Sequence, residues 1–169
     1  MILPEPNIQY PPEVALTNYL SDHNLKKSRE RYVVLEAVKD KGEIFTAAEL
    51  HDYIEKTQFH LSLATVYSSL RLFVKCGIVV EHLVQADSVR FEYAYGKTAF
   101  KYMVCSHCGR ITPLADTAID RAMAAAKTPR MHPSYYKAYI FGICASCARK
   151  EKARLRKIKQ QNTDDTRKS

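Results

Sequence analysis

Two Cys-x-x-Cys pairs, Cys105-Ser106-His107-Cys108 and Cys144-Ala145-Ser146-Cys147, constrain this chain more than any other feature. They take four of its five cysteines. Two residues between cysteines let both thiolates of a turn face one ion. Two such turns make a closed, tetrahedral, all-sulfur site, which Zn2+ accepts because its filled d shell imposes no geometry of its own. Gly109 follows Cys108, where a knuckle turn calls for a left-handed residue. The gap between the pairs is longer than in a compact zinc ribbon, so the ion would pin two distant elements together. The other readings of the same thiols are a pair of disulfides, four unrelated buried thiols, or a redox role. Met1-Ile2-Leu3-Pro4-Glu5-Pro6 has neither the basic nor the apolar region of a secretion signal. That points to a cytoplasmic protein in a reducing environment, where disulfides are rare. The expectation is one structural Zn2+ per subunit on Cys105, Cys108, Cys144 and Cys147. Four thiolates leave no position for a water or substrate, so this zinc is a staple and not a catalyst.

Charge adds less than its total implies. The chain has 169 residues, 46% of them hydrophobic, and a net charge of +8. It can build a core, and it lacks an apolar run long enough to span a membrane. Residues 149–169 hold nine Lys/Arg against three Asp/Glu, so six of the eight net charges sit in the tail. The body is close to neutral, and local patches must decide. Lys26-Lys27-Ser28-Arg29-Glu30-Arg31 puts four cations in six residues at a predicted helix start. It reads either as a solvated helix end or as a phosphate contact. The run from Arg149 to Lys159 predicts a helix with little apolar face, continuing from the second knuckle. It reads as a solvated, fraying helix or as an electrostatic contact to DNA or an acidic partner. Residues 160–169 read as disordered.

Residues 1–12 carry four prolines and read as an extended arm. Helical periodicity begins near Glu13 with Val14, Leu16, Tyr19 and Leu20, and again from Arg29 to about Lys41. Thr46-Ala47-Ala48-Glu49 is a capping box opening a helix with Leu50, Tyr53 and Ile54. Ser62-Leu63-Ala64-Thr65 opens another, with Val66, Leu70, Phe73 and Val74, stopped by Cys76-Gly77. Ile78–Leu83 and Val89–Tyr93 are short, β-rich and separated by Gln85-Ala86-Asp87-Ser88, which predicts a hairpin. Three helices followed by a hairpin is the order of a winged helix-turn-helix over residues 13–95, with the last helix as recognition helix. Gly96-Lys97-Thr98 reads as a linker. Over residues 99–148, strands at Phe100–Val104, Arg110–Leu114 and Tyr135–Ile143 surround a helix at 116–127 and both knuckles. The fold class is α+β: a winged helix-turn-helix followed by a small α/β dimerisation domain with a four-cysteine zinc site. That second domain is small enough to need both the metal and a partner subunit.

Leu63-Ala64-Thr65-Val66-Tyr67, Leu70, Gly77-Ile78-Val79, Phe91-Glu92, Cys105-x-x-Cys108-Gly109 and Gly142-Ile143-Cys144-x-x-Cys147, in that order, resemble the ferric uptake regulator (Fur) family. The resemblance covers residues 13–148. It implies a homodimeric transcription regulator, typically a repressor, that binds double-stranded DNA and carries a structural zinc. Carried onto this chain, it implies that Tyr67 reaches the DNA, with Ser62 and Thr65 near the helix N-terminus. Arg31 would grip phosphate, and Lys26 and Lys27 would lie near the minor groove. The family has an arginine directly after the tyrosine. Here that residue is Ser68, and Arg71, one turn on, would supply the cation.

The chain departs further from the family at the sensory metal site. The His-rich segment before the first knuckle reads Lys97-Thr98-Ala99-Phe100-Lys101-Tyr102 here, with no histidine and a lysine where an acid is expected. Other expected ligands become Ile44, Pro113, Tyr136 and Ile143. Only Glu92 remains, and one carboxylate does not hold a divalent transition metal. The expectation is that the conventional sensory site is absent. Packing of Phe100, Tyr102, Tyr136 and Ile143 would then hold the DNA-competent form. Alternatively, another effector such as haem or redox state is sensed, with Cys76, His82, Glu92, His107, His132 and Tyr136 as candidate residues. A zinc-stapled scaffold protein is the competing function. An enzyme is not expected: there is no His-Glu-x-x-His, phosphate loop or nucleophile elbow, and hence no catalytic residue or small-molecule substrate is assigned.

Overall fold

Four helices and a hairpin come first in the computed structural model, which describes residues 10–42, 44–85, 88–126 and 135–166. The arm over residues 1–9, the turn residues Ala86 and Asp87, His132 and residues 167–169 lie outside the described residues. The chain divides into two units: residues 1–100 with 120–136, and residues 101–119 with 137–169.

The first unit opens with α1 (Pro12–Asp22) and α2 (Arg29–Lys41), followed by α3 (Ala47–Glu55) and α4 (Leu63–Lys75). The capping box at α3 is complete. Thr46 accepts the Glu49 N–H at 3.1 Å, and the Thr46 N–H donates to Glu49 at 2.7 Å. Two donors that the helix start would leave orphaned are thereby satisfied. α4 stops at Cys76, and Gly77 takes φ of 72°, a left-handed conformation in which a side chain would be strained. The chain then turns directly into β1 (Val79–Gln85), which pairs antiparallel with β2 (Ser88–Tyr93). Phe45, between α2 and α3, adds a third rung. Its N–H and C=O bond to Phe91 at 2.9 and 2.7 Å, which fixes the hairpin against the helices.

One core joins these elements. Leu16 and Leu20 come from α1, Val34, Leu35 and Val38 from α2, Leu50 and Ile54 from α3, and Val66, Leu70 and Phe73 from α4. Phe45, Ile78 and Phe91 complete it, all at most 2% exposed. α2, α3 and α4 with the hairpin are the winged helix-turn-helix the sequence predicts, and α1 covers the same core. Gly96-Lys97-Thr98, expected as a linker, lies inside the first unit, where the Lys97 N–H closes a turn on the Ala94 carbonyl at 2.9 Å.

The three-stranded sheet has the order β4-β3-β5, from β3 (Ala99–Cys105), β4 (Ile111–Pro113) and β5 (Tyr136–Gly142). β3 pairs antiparallel with β4, with Met103 opposite Thr112. β3 alternates: Phe100, Tyr102 and Val104 are buried while Met103 is exposed. α5 (Thr117–Ala125) starts where Asp116 accepts the Ala118 N–H at 2.6 Å. α6 (Ala145–Thr166) begins within the second knuckle and runs for 22 residues. This corrects the expected disorder from residue 160: the helix continues through Thr166. No Gly or Pro interrupts Gln160 to Thr166, and composition alone is a weak argument against a helix already under way.

Candidate nucleic-acid interface and metal centre

α4 is two-faced. Val66, Ser69, Leu70 and Phe73 are buried, while Ala64, Tyr67, Ser68, Arg71 and Lys75 form an exposed stripe at helical spacing. Tyr67 is 42% exposed, so it is not a core aromatic. The N-terminus of α4 is tightly organised. Ser62 accepts the Thr65 N–H at 3.1 Å, and the two hydroxyls lie 2.8 Å apart. Ser68 and Ser69 both donate to the Thr65 carbonyl, at 3.0 and 2.8 Å. A hydroxyl that caps a helix is held rigidly and still has capacity for a phosphate oxygen.

The cation cluster before α2 divides into two kinds. Lys26 and Lys27 are exposed. Arg29 lies over the Phe59 ring, 5.3 Å from its centroid, and Arg31 donates to the Lys26 carbonyl. The two arginines therefore shape the segment that presents the two lysines. Arg31 is expected to touch phosphate, and its guanidinium keeps further donors for that after the Lys26 bond.

The second unit brings all four paired cysteines together, with their sulfurs within 4.8 Å of one another. Cys108 and Cys144 Sγ are 3.9 Å apart. A tetrahedron of thiolates at 2.3 Å from Zn2+ has edges of about 3.8 Å, whereas a disulfide would need about 2 Å. Backbone geometry builds the cradle. Gly109 (φ 67°) lets its N–H return to the Cys105 carbonyl at 2.9 Å, and the Ser106 N–H reaches Gly142 at 2.8 Å. The Cys144 N–H donates to Cys105 Sγ at 3.3 Å. Backbone N–H groups of Cys144 and Cys108 hold the Cys105 thiol down at about 5. The neighbouring Cys144 and Cys108 sulfurs push Cys147 up to about 12. Four thiolates this close cannot all ionise without a cation among them, and a divalent, sulfur-seeking ion meets that need. The donor set and its spacing fit zinc.

Glu92 lies in the first unit and is fully engaged. Its Oε2 is 3.0 Å from His82 Nε2, and its Oε1 is 2.8 Å from Lys97 Nζ. His82 is wholly buried and the Glu92 side chain is 10% exposed. Sequence reasoning missed this triad. It noted each residue alone, yet the register that puts Val80 opposite Glu92 also brings His82 near. Two further effector candidates, Cys76 and Tyr136, are held in environments of their own. Burial pushes the Cys76 thiol up to about 12, which disfavours the reactive thiolate. The Tyr136 hydroxyl donates to Asp120, and burial and that carboxylate push it up to about 12. Of the four groups expected to pack in place of a metal, Phe100 and Tyr102 are buried, but Ile143 is 54% exposed.

A family model for the ferric uptake regulator family matches residues 22–133. The peroxide operon regulator of Bacillus subtilis is 26% identical over 133 residues, covering 78% of this chain and 90% of its own. The ferric uptake regulation protein of Legionella pneumophila is 28% identical over 130 residues, covering 76% of this chain and 95% of its own. Among solved structures, the Helicobacter pylori ferric uptake regulator Fur aligns with a TM-score of 0.64 at 21% identity. The alignment covers 82% of this chain and 95% of that one.

Proposed function

The chain belongs to the ferric uptake regulator family, and on that footing we propose that it is a dimeric, cytoplasmic repressor that reads duplex DNA through α4 and needs no regulatory metal. Members of the family are DNA-binding transcription regulators that act as dimers, not enzymes. The observation that carries DNA reading is the exposed stripe Tyr67, Ser68, Arg71 and Lys75 on a helix whose other face is locked into the core. An aromatic can touch a thymine methyl, and Arg71 and Lys75 can take base edges or phosphates. Lys26, Lys27 and Arg31 would add backbone contacts, with Ser62 and Thr65 at the helix start. Ser68 in the family's arginine position gives this chain its own operator preference.

Zn2+ would be held by Cys105, Cys108, Cys144 and Cys147 as a closed staple, one per subunit. The dimer reading is supported by the second unit, where β5 is an edge strand and Ile140, Phe141, Ile143 and Met103 are between 43% and 60% exposed. Apolar side chains beside an unpaired edge favour a partner. Among the described residues no helix is long and apolar enough to cross a membrane.

Metal independence rests on Glu92, whose two oxygens are taken by His82 and Lys97. The Lys97 ammonium supplies the positive charge that a divalent ion would otherwise bring to that carboxylate. The test is duplex selection from a random library, followed by fluorescence anisotropy on the zinc-loaded protein freed of loosely bound metal. The selected duplex is expected to bind far more tightly than random DNA, and adding Fe2+, Mn2+, Zn2+ or haem should leave its affinity unchanged. Tyr67→Ala should weaken selected and random duplexes unequally. Binding that appears only with one metal would refute the metal-blind reading, and failure to select any duplex would favour a scaffold role.

A further inference from the structure

Beyond the winged helix, we propose that α6 is a second, sequence-independent contact to the duplex backbone; this rests on the reading of the chain as a DNA-binding protein. Arg149, Lys150, Lys152, Arg154, Arg156 and Lys157 are all exposed. The helix lies past the family match, which ends at residue 133. Among the described residues only Arg154 has an ion-pair partner in the helix, Glu151 at 3.9 Å. Arg149/Lys152, Lys150/Arg154, Lys152/Arg156 and Arg154/Lys157 stand three or four residues apart, so like charges face each other along the helix.

A chain does not gain stability from such an array, and a polyanion bound along it would relieve the repulsion. The spacing identifies which one. Six cations over residues 149–157 lie along about 12 Å of helix, roughly 2 Å per charge. Double-stranded DNA carries one charge per about 1.7 Å of axis. The cations cover roughly 200° of the helix surface at 3.6 residues per turn. A helix between two phosphate walls can use such a breadth, and a single strip of acidic side chains cannot. The remaining side holds Glu151, Leu155 and Ile158, with the last two 50% and 41% exposed. Two aliphatic residues and no aromatic make too narrow a face for a helix that lies in a membrane surface.

The test replaces Lys150, Lys152, Arg156 and Lys157 with glutamine in the full-length, zinc-loaded chain. Glutamine keeps helix propensity, and of the four substitutions only Lys150, three residues after Cys147, lies within one turn of a cysteine. Retained zinc and unchanged far-UV circular dichroism would verify the fold. Affinity for a selected duplex and for a random-sequence duplex is then measured across a salt series. Each lost phosphate contact should make the log–log salt slope shallower by about 0.9. The variant is therefore expected to lose about 2 to 4 units of slope and to bind both duplexes about tenfold or more weakly at low salt, by similar factors. An unchanged slope with selective binding intact would overturn the proposal and leave the DNA-binding reading standing. If neither protein binds any duplex, both fall. Vesicles of phosphatidylserine and phosphatidylcholine provide the third arm. If they bind the parent but not the variant while the duplex slope stays fixed, α6 is a membrane contact and the proposal is overturned.

Discussion

The winged unit and the cysteine unit solve the same problem of staying folded by opposite means. In the first, a continuous set of side chains from α1 to β2 is excluded from water, including Phe45, Phe73, Leu70 and Ile78 at 0% exposure. Burial of apolar area is enough to hold such a unit. In the second, Tyr102, Val104 and Cys105 are the buried apolar residues among the described ones, and Phe141 stands 60% exposed. A three-stranded sheet with so little covered surface does not offset its chain entropy by burial alone. On the function proposed above, it would depend on four sulfurs held at one point by zinc and on a partner covering what remains. A DNA reader must hold its recognition helix rigidly in each subunit, whereas a dimerisation unit can leave part of its core to be completed by assembly.

The sharpest way to break this contrast is to remove the staple. Cys147→Ser, or stripping with a strong chelator, should unfold the second unit and leave the first intact. Structural zinc in small domains contributes on the order of 10 kcal/mol, more than a sheet of this size can lose. Amide exchange would read the two units separately: protection over β3 and β5 should vanish while that over α2 to α4 persists. Equal protection in both units after zinc loss would mean the second is held by packing after all. The converse substitution, Phe73→Ala, opens the first core. It should cost about 3–5 kcal/mol. Loss of α4 order, and of duplex binding, is expected at a temperature where zinc stays bound. Simultaneous loss of zinc would show that the two units do not stand independently.

How much of this was legible in the sequence follows the same division. The winged unit was readable because local signals agree there: the Thr46/Glu49 box, Gly77 after α4 and the hairpin strands each announce an element, and the apolar periods point into one core. The cysteine centre was readable because its spacing is chemistry in itself. The Glu92 triad was not, because His82 and Lys97 reach it through strand register and a turn at Gly96, which residue types do not encode. The roles of Arg29 and Arg31 were hidden for a similar reason. Charge alone left the cluster open between a solvated helix end and a phosphate contact, and did not encode that one arginine sits over Phe59 and the other bonds to the Lys26 carbonyl. The helix through Thr166 was missed because polarity was read as disorder.

The finest test concerns the ion pair between Glu13 and Lys39, 2.5 Å apart, which links α1 to α2 in the unit that burial already holds. The Lys39 ammonium, as hydrogen-bond donor, pulls the Glu13 carboxyl below its ordinary value, and Glu13 in turn raises Lys39. Both side chains are about one-third exposed, at 34% and 32%, so solvent screens them and the pair contributes only about 0.5 kcal/mol. The signs are fixed by those directions. A depressed carboxyl stabilises fully above its unfolded pKa near 4.5 and loses that contribution as pH falls through the lower folded value. A raised ammonium stabilises fully below its unfolded value of 10.5 and loses it only as pH climbs through the higher folded one. Between those limits Glu13→Gln should lower the stability of the first unit by that small amount, and once the pH has fallen well below the lowered folded value the difference from the parent should disappear. Urea titrations of both proteins at neutral and acid pH would check this. A loss above about 2 kcal/mol would mean that the first unit leans on a single bridge much as the second leans on zinc, which would erase the contrast between them.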